Sequence, residues 1–187
     1  MGGEKEMETY VALFRGINVG GRNILPMNEL LAVLEGLGLK KIQTYIQSGN
    51  IVFQAATGRA PELAGIIGAA IGRDRGFVPS VLVLSILDFQ RAMASNPFPD
   101  GEEEPKSLHL FFLESSPANP DLEKLTTLQS GSERYRLMGS VFYLHAPGGV
   151  GCSRLAANVE KALGVTATAR NWRTARAILS LAAKESS

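Results

Sequence analysis

The stretch KIQTYIQSGNIVFQA, residues 41–55, contains two β-rich runs joined by a Ser-Gly pair. Strand-forming residues on both sides of a short turn are typical of a β-hairpin. Segments with helical spacing of apolar residues lie before and after this hairpin. Its position between two helices decides the predicted fold of the first half of the chain.

Outward from the hairpin, the flanking segments complete the order βαββαβ. A strand over residues 9–14 and a helix from Met27 precede the hairpin, and a helix opened by Pro61 follows it. The strand VPSVLVL comes next. A helix that Ser85 and Asp88 would start as a capping box then ends the first half.

The second half repeats this order of elements without clear residue identity. It reads as the strand SLHLFFLE, a helix at Asn119-Pro120, the hairpin ERYRLM–SVFYLHA, a helix from Ser153 to Gly164, the strand TATA and a last helix over residues 172–184. The sequence therefore predicts an α+β fold of two ferredoxin-like subdomains. Each is an α/β plait (βαββαβ) with antiparallel strand order 4-1-3-2, followed by an extra helix.

A proline-rich and acidic segment, SNPFPDGEEEPK, separates the two halves. We expect a first subdomain over residues 1–95, a linker over 96–106 and a second subdomain over 107–187.

Composition excludes several classes of protein. The net charge is +1 over 187 residues, which argues against a strongly basic nucleic-acid binder. One cysteine cannot form an internal disulfide, and the longest apolar run, VLVLSIL, is too short to span a bilayer. We expect a cytoplasmic soluble protein with no membrane partner, and composition leaves its oligomeric state open.

The plait topology brings two polar loops of the first half to one end of the sheet. These are RGINVGG after the first strand and QSGN between the second and third strands. Glycine amides, a following helix end and an arginine could hold an anion there. Ordinary turn chemistry is the alternative, and spacing alone favours it. The candidate residues are Arg15, Asn18, Gly20, Gly21, Gln47, Ser48 and Asn50.

In the second half, APGGVGCSR and ARNWR share one end of their sheet by the same geometry. The first loop lacks the G-K-[ST] of a Walker A motif. Anion binding competes with helix capping by Ser153, with core packing of Trp172, and with pairing of the arginines to acids such as Glu160. The candidate residues are His145, Gly149, Gly151, Ser153, Arg154, Arg170, Asn171, Trp172 and Arg173.

Recognisable catalytic and metal-binding patterns are missing from the sequence. Cys152 has no evident His and acid partners, and no Cys/His cluster has metal-ligand spacing. We therefore predict no metal and no cofactor, assign no catalytic residue, and leave open whether the protein is an enzyme.

The segments YVALFRGINVGG, YIQSGNIVF, NPF, YLHAPGGVGCSRL and TARNWRT, in this order, resemble a bacterial family known as domain of unknown function 1697. The resemblance implies a compact α+β protein of two plait-like subdomains and brings no established activity. The family pattern has Ser-Lys where this chain has Ser153-Arg154. Arginine keeps the positive charge but cannot act as a lysine base or form a Schiff base.

Three functional hypotheses follow, and the first is preferred. The protein would bind a small anionic, phosphate-bearing ligand in its Gly/Arg loops, with or without catalysis. Alternatively, Tyr10, Phe14 and Phe53 of an RRM-like plait would stack the bases of a single-stranded nucleic acid, although GNIVFQA lacks the basic-aromatic pattern. In the third hypothesis the protein is an interaction module without a ligand, in which the loops clasp the two subdomains to each other and bury Arg15 and Arg170 against acids of the other half.

Overall fold

The computed structural model describes residues 6–46, 49–57 and 60–184. The first half contains β1 (Met7–Arg15), α1 (Met27–Gly36), β2 (Lys40–Tyr45), β3 (Asn50–Ala56), α2 (Ala60–Arg75), β4 (Ser80–Ser85) and α3 (Ile86–Ala94). The second half contains β5 (Leu108–Leu113), α4 (Leu122–Leu128), β6 (Arg134–Met138), β7 (Val141–His145), α5 (Val159–Leu163), β8 (Ala167–Asn171) and α6 (Trp172–Lys184). Short 3₁₀ turns occupy Pro99–Glu102, Val150–Cys152 and Ala156–Asn158.

The strands form two four-stranded sheets, β2-β3-β1-β4 and β6-β7-β5-β8. All paired strands are antiparallel, so each sheet has the predicted order 4-1-3-2. The predicted fold class, two ferredoxin-like plaits within an α+β protein, is confirmed.

The core of the first sheet follows the alternation of β1. Tyr10, Ala12 and Phe14 project to one face of the sheet, as successive even positions of a strand must. They pack with Leu30 of α1 and Ile67 of α2 in one buried cluster. The helices therefore bury the even-numbered face of β1, and Val11 and Leu13 of the other face are buried as well.

The core of the second sheet is built in the same way. Phe111 of β5 lies opposite Phe142 of β7, and their rings meet edge to face with centroids 5.7 Å apart. Leu125 of α4 and Val159 of α5 belong to the same buried cluster.

One predicted helix is broken. The sequence predicted a continuous helix from Ser153 to Gly164, but α5 begins only at Val159. The Asn158 Nδ2 donates to the carbonyl oxygen of Arg154 (2.8 Å), and the backbone N–H of Asn158 donates to Leu155 instead (3.0 Å). This replaces the α-helical bond with a 3₁₀ bond and delays the helix.

The helix α4 also begins later than predicted. Asp121, rather than Asn119, caps it, because an Asp121 carboxylate oxygen accepts from the Lys124 N–H (3.0 Å). Ser85 caps α3 as predicted, because its hydroxyl oxygen accepts from the Asp88 N–H (3.1 Å), and the hydroxyl donates to the Asp88 carboxylate (2.8 Å) instead of completing a capping box.

The chain divides into two compact units. The first contains the described residues up to Arg91 and those from Ala177 onward, and the second contains Ala92–Arg176. Both divisions fall inside helices, α3 and α6. The predicted boundaries, with a linker over residues 96–106, stay a prediction.

Candidate functional site

In the first unit, the loop from β1 to α1 is closed by Asn18. The side-chain amide of Asn18 donates to the Leu25 carbonyl (2.9 Å) and accepts from the Leu25 N–H (2.8 Å). Asn18 has φ +54°, a conformation that asparagine tolerates better than most side chains. Both polar atoms of the predicted ligand residue are thus used by the loop itself.

The glycines of this loop form a tight turn. The Arg22 N–H donates to the Val19 carbonyl (3.1 Å), and the central residues Gly20 and Gly21 have φ +59° and +72°. Positive φ at both positions is typical of a type I′ turn. The helix α1 begins later, at Met27, so these glycines do not lie at its N-terminus. The contribution of a helix end to anion binding at this loop stays a prediction.

The hairpin loop between β2 and β3 lies beside the β1–α1 loop, as the topology predicted. The Phe14 N–H donates to the Gly49 carbonyl (2.8 Å), and a Cβ on Gly49 would lie 2.5 Å from the Phe14 Cβ. Asn50 is fully buried, and its Nδ2 donates to the Tyr45 carbonyl (3.1 Å). Gln47 and Ser48 lie outside the described residues.

In the second unit, the loop after β7, the segment before β5 and Arg173 of α6 border one cavity of about 500 Å³. The sequence predicted ARNWR as a loop, but β8 ends at Asn171 and α6 begins at Trp172 with no residue between them. The placement of APGGVGCSR and ARNWR at one end of the sheet was predicted from the topology and is confirmed. We call this cavity the β7–β8 cavity, and its lining residues are Glu104, Pro105, Lys106, Ser107, Ala146, Pro147, Gly149 and Arg173.

Three of these lining residues are charged and exposed. Arg173 of α6 and Lys106 carry positive charge, and Glu104 carries negative charge. Gly149 has φ +93°, which favours glycine at the point where the loop turns along the cavity. The cavity thus combines a small excess of positive charge with a wall that lacks a side chain at Gly149.

Around the start of α6, only Arg173 of the predicted ARNWR residues lines the cavity. Asn171 caps the helix, because its Oδ1 accepts from the Thr174 N–H (2.9 Å). Trp172 is buried, with 4% of its surface exposed. Arg170 donates to the Ala169 carbonyl (2.8 Å), and burial lowers its pKa to about 10, so it stays charged at neutral pH. Of these four residues, Arg170, Asn171 and Trp172 are therefore buried or hydrogen-bonded within the protein, and only Arg173 lines the cavity.

A smaller cavity of about 230 Å³ lies on the other side of Gly149. Ser153 and Arg154 line it together with Cys152 and Glu133, whereas Gly151 lines neither cavity. Desolvation raises the pKa of Glu133, but hydrogen bonds from Ser153 and Ser130 outweigh it and leave the pKa lowered. A buried carboxylate held in its charged form opposes anion binding here.

His145, predicted as a ligand residue, belongs to a cluster that the sequence did not indicate. Its Nδ1 lies 2.8 Å from an Arg134 guanidinium nitrogen, which also pairs with Asp100. The Arg134 guanidinium lies over the Phe98 ring, 4.9 Å from its centroid. A Cβ on Gly101 would come within 3.0 Å of the imidazole. The segment Phe98–Gly101 was predicted as linker, and only the prolines and acids of that segment were given weight.

The pKa of His145 is lowered, first by burial and then by the Arg134 charge, while Asp100 and Glu104 act in the opposite direction. Because an arginine can only donate, the Nδ1 of His145 accepts and the ring proton lies on Nε2. We call Asp100, Arg134 and His145 the His145 cluster. It ties the 3₁₀ turn at Pro99–Glu102 to β6 and β7.

The RRM-like mode lacks its stacking residues in this structure. Tyr10, Phe14 and Phe53 are each 1% exposed or less and belong to the core of the first unit. They are therefore closed to bases. Arg15, which the interaction-module hypothesis buries, is exposed.

Within residues 6–46, 49–57 and 60–184, no group of three or more His, Cys, Asp or Glu residues is placed to hold a metal ion. In the same part of the chain, no helix has both the length and the apolar character needed to cross a membrane.

The fold defines an α+β protein of two ferredoxin-like units, with the β7–β8 cavity in the second. The chain belongs to the family described as protein of unknown function (DUF1697), whose model matches residues 7–143. The resemblance drawn from the sequence motifs is confirmed. The matched residues end within β7, so APGGVGCSR and ARNWR lie beyond them.

The chain is also similar to a solved structure, the conserved bacterial protein SP0830 from Streptococcus pneumoniae. The TM-score is 0.70 and the sequence identity 24%, over 94% of this chain and 99% of that one. At this identity the likeness supports the fold alone. No curated protein matches the chain.

Proposed function

We propose that the protein binds a small anionic ligand, such as a phosphate ester, in the β7–β8 cavity. The observation that carries the proposal is that the APGG loop after β7 and the first turn of α6 border this cavity, where Arg173 lines it. Arginine matches the geometry of phosphate and carboxylate oxygens because its N–H groups form a planar fork. Lys106, from the segment before β5 that also lines the cavity, adds a second positive charge.

Electrostatics at the cavity favour an anion modestly. Two cations face one acid, Glu104, and all three side chains are exposed to screening by salt. We therefore expect weak, salt-dependent binding of a bare anion, and tighter binding only when other parts of a ligand contribute. The proposal concerns binding, and a cytoplasmic location remains a prediction.

The test is thermal unfolding at low ionic strength with increasing inorganic phosphate. A ligand at ten times its Kd stabilises the folded state by about 1.4 kcal/mol, so the midpoint should rise with concentration. Arg173→Ala should abolish most of this rise. Arg176→Ala is the matched control, because it removes the same charge from the same helix but not from the cavity lining.

Two results would contradict the proposal. One is an unchanged unfolding midpoint at every phosphate concentration. The other is a phosphate response that persists in the Lys106→Ala, Arg173→Ala double variant, since the stabilising anion would then bind elsewhere. Sodium chloride at equal ionic strength separates specific binding from general screening.

A further inference from the structure

Several polar backbone groups in the walls of the β7–β8 cavity are already hydrogen-bonded within the protein. The Ser107 N–H and hydroxyl both donate to the Glu104 carbonyl (2.8 Å each), and the Ser107 carbonyl accepts from the Ala146 N–H (2.8 Å). The Arg173 N–H donates to the Pro105 carbonyl (3.2 Å). Ser107 itself is 6% exposed. These groups hold the walls together and have little left to offer a ligand.

The remaining wall surface is carbon. Pro105, Ala146 and Pro147 line the cavity, and Gly149 adds no side chain. The charged side chains, Lys106 and Arg173 among them, are exposed. Charged side chains at the solvent-facing edge and apolar walls suit a ligand with an anionic group at one end and an apolar group at the other.

The volume points the same way. Cavities of roughly 300–1,000 Å³ hold drug-sized ligands, and about 500 Å³ lies well inside this range. A bare phosphate bound at Arg173 would leave the exposed surfaces of Pro105 and Pro147 in contact with water, whereas Ala146 is already buried. Covering that apolar surface would add hydrophobic stabilisation to the ionic contact.

Building on the proposed anion binding, we infer that the natural ligand joins its anionic group to an apolar body such as an aromatic ring. The anion lies at Arg173 and Lys106, and the apolar body lies against Pro105, Ala146 and Pro147. Phosphate and carboxylate head groups both satisfy this chemistry.

The test compares ligands of equal charge by isothermal titration calorimetry on the full chain. At pH 8, where both esters are dianions, phenyl phosphate should bind about tenfold more tightly than methyl phosphate, because its ring adds apolar surface for the walls to cover. Benzoate and acetate form a second pair with a carboxylate head. A ring preference in both pairs supports the inference, and the tighter pair identifies the head group.

A wall variant locates the apolar body. Pro147→Ser places a hydroxyl in the wall and should reduce the preference for phenyl over methyl phosphate, with little change in the Kd for methyl phosphate. If the first variant folds poorly, Pro105→Ser repeats the test on the wall segment before β5.

The outcomes separate the two proposals. Equal affinity for methyl and phenyl phosphate would overturn the inference and leave the proposed anion binding standing. If neither ester nor inorganic phosphate binds, the proposed function fails and the inference fails with it. A ring preference that survives both wall variants would also overturn the inference, since the ring would lie elsewhere.

Discussion

The β1–α1 loop of the first unit and the loops around the β7–β8 cavity of the second unit have similar compositions and different uses. Both are rich in glycine, asparagine and arginine. In the first unit, the side chains of Asn18 and Asn23 bond to the loop backbone at Leu25 and Gly16, so the loop closes on itself. In the second unit, the loop after β7, the segment before β5 and the start of α6 together line a cavity.

The difference teaches how far loop composition can indicate a binding site. Glycine and asparagine report that the backbone takes unusual conformations, whatever the purpose. A site needs charged side chains that face a space large enough for a ligand. Arg173 and Lys106 meet that condition in the second unit, and Asn18 does not meet it in the first.

The largest expected loss of stability comes from adding a side chain at Gly49, where the loop between β2 and β3 lies against Phe14 of β1. Gly49→Ala places a Cβ 2.5 Å from the Phe14 Cβ at a residue with φ +71°. Overpacking and backbone strain together should destabilise the protein by about 2–4 kcal/mol. Urea unfolding measures this loss.

Gly21→Ala is the matched control for Gly49→Ala. Gly21 has φ +72° but nothing within 4 Å of an added Cβ, so only the strain of about 1 kcal/mol remains. Equal losses in the free energy of unfolding would contradict this prediction, since contact with Phe14 would then add nothing to the cost of Gly49→Ala.

A smaller effect is expected at Asn18. Asn18→Gly keeps a residue suited to φ +54° but removes both hydrogen bonds to Leu25, so stability should fall by about 2 kcal/mol. Phosphate stabilisation of the remaining folded protein should persist, because the first-unit loop is not the proposed site. If Asn18→Gly instead removed the phosphate response without changing stability, Asn18 would be a ligand residue and the anion would bind in the first-unit loop.

At Asn171 the expected change is smaller again. Asn171→Ala removes the cap of α6, with an expected loss of about 1 kcal/mol in the free energy of unfolding. Asn171→Ser, which can cap in the same way, should recover most of it. A variant that is fully stable but unresponsive to phosphate would instead support the binding role predicted from the sequence.

The smallest expected effect is on the pH dependence of stability, through the His145 cluster. The pKa of His145 is lowered in the folded protein, whereas the unfolded chain titrates near 6.5. Between these two values the unfolded state binds more protons. The contribution of His145 is therefore complete above about pH 6.5 and is lost as the pH falls through the lowered pKa.

Urea midpoints at pH 5.5 and 7.5 test this cluster. In His145→Gln, the amide oxygen can still accept from Arg134 and does not titrate, so the pH dependence over this interval should shrink. The titration of Asp100, whose pKa is lowered mainly by its hydrogen bond from Arg134, falls at lower pH and does not interfere. If wild type and variant lose stability equally, His145 is not the group responsible.

Much of the fold could be predicted from local patterns. The capping pair Ser85 and Asp88 and the hairpin around Gly139 involve residues close in sequence, whose preferences act before any tertiary contact forms. The broken helix after Ser153 was missed because the Asn158 side chain competes for a backbone carbonyl, and helical periodicity does not record that competition.

The candidate site was predicted only in outline. Topology placed the loops after β7 and β8 together, and Arg173 and Gly149 do line one cavity. Lys106 and Glu104 were missed, because the acidic segment was interpreted as a solvated linker. The pairing of His145 with Arg134 and Asp100 joins residues up to 45 positions apart, which no local pattern indicates.

The sequence by itself determined the order of elements, the two plaits and the ends at which their polar loops gather. These follow from side-chain periodicity and turn chemistry, which operate over a few residues. Only the tertiary structure decided which of those polar residues serve the loop and which face a cavity. Hydrogen-bond partners and empty space depend on segments distant in the chain, so Asn18 and Arg173 could be separated only once their surroundings were formed.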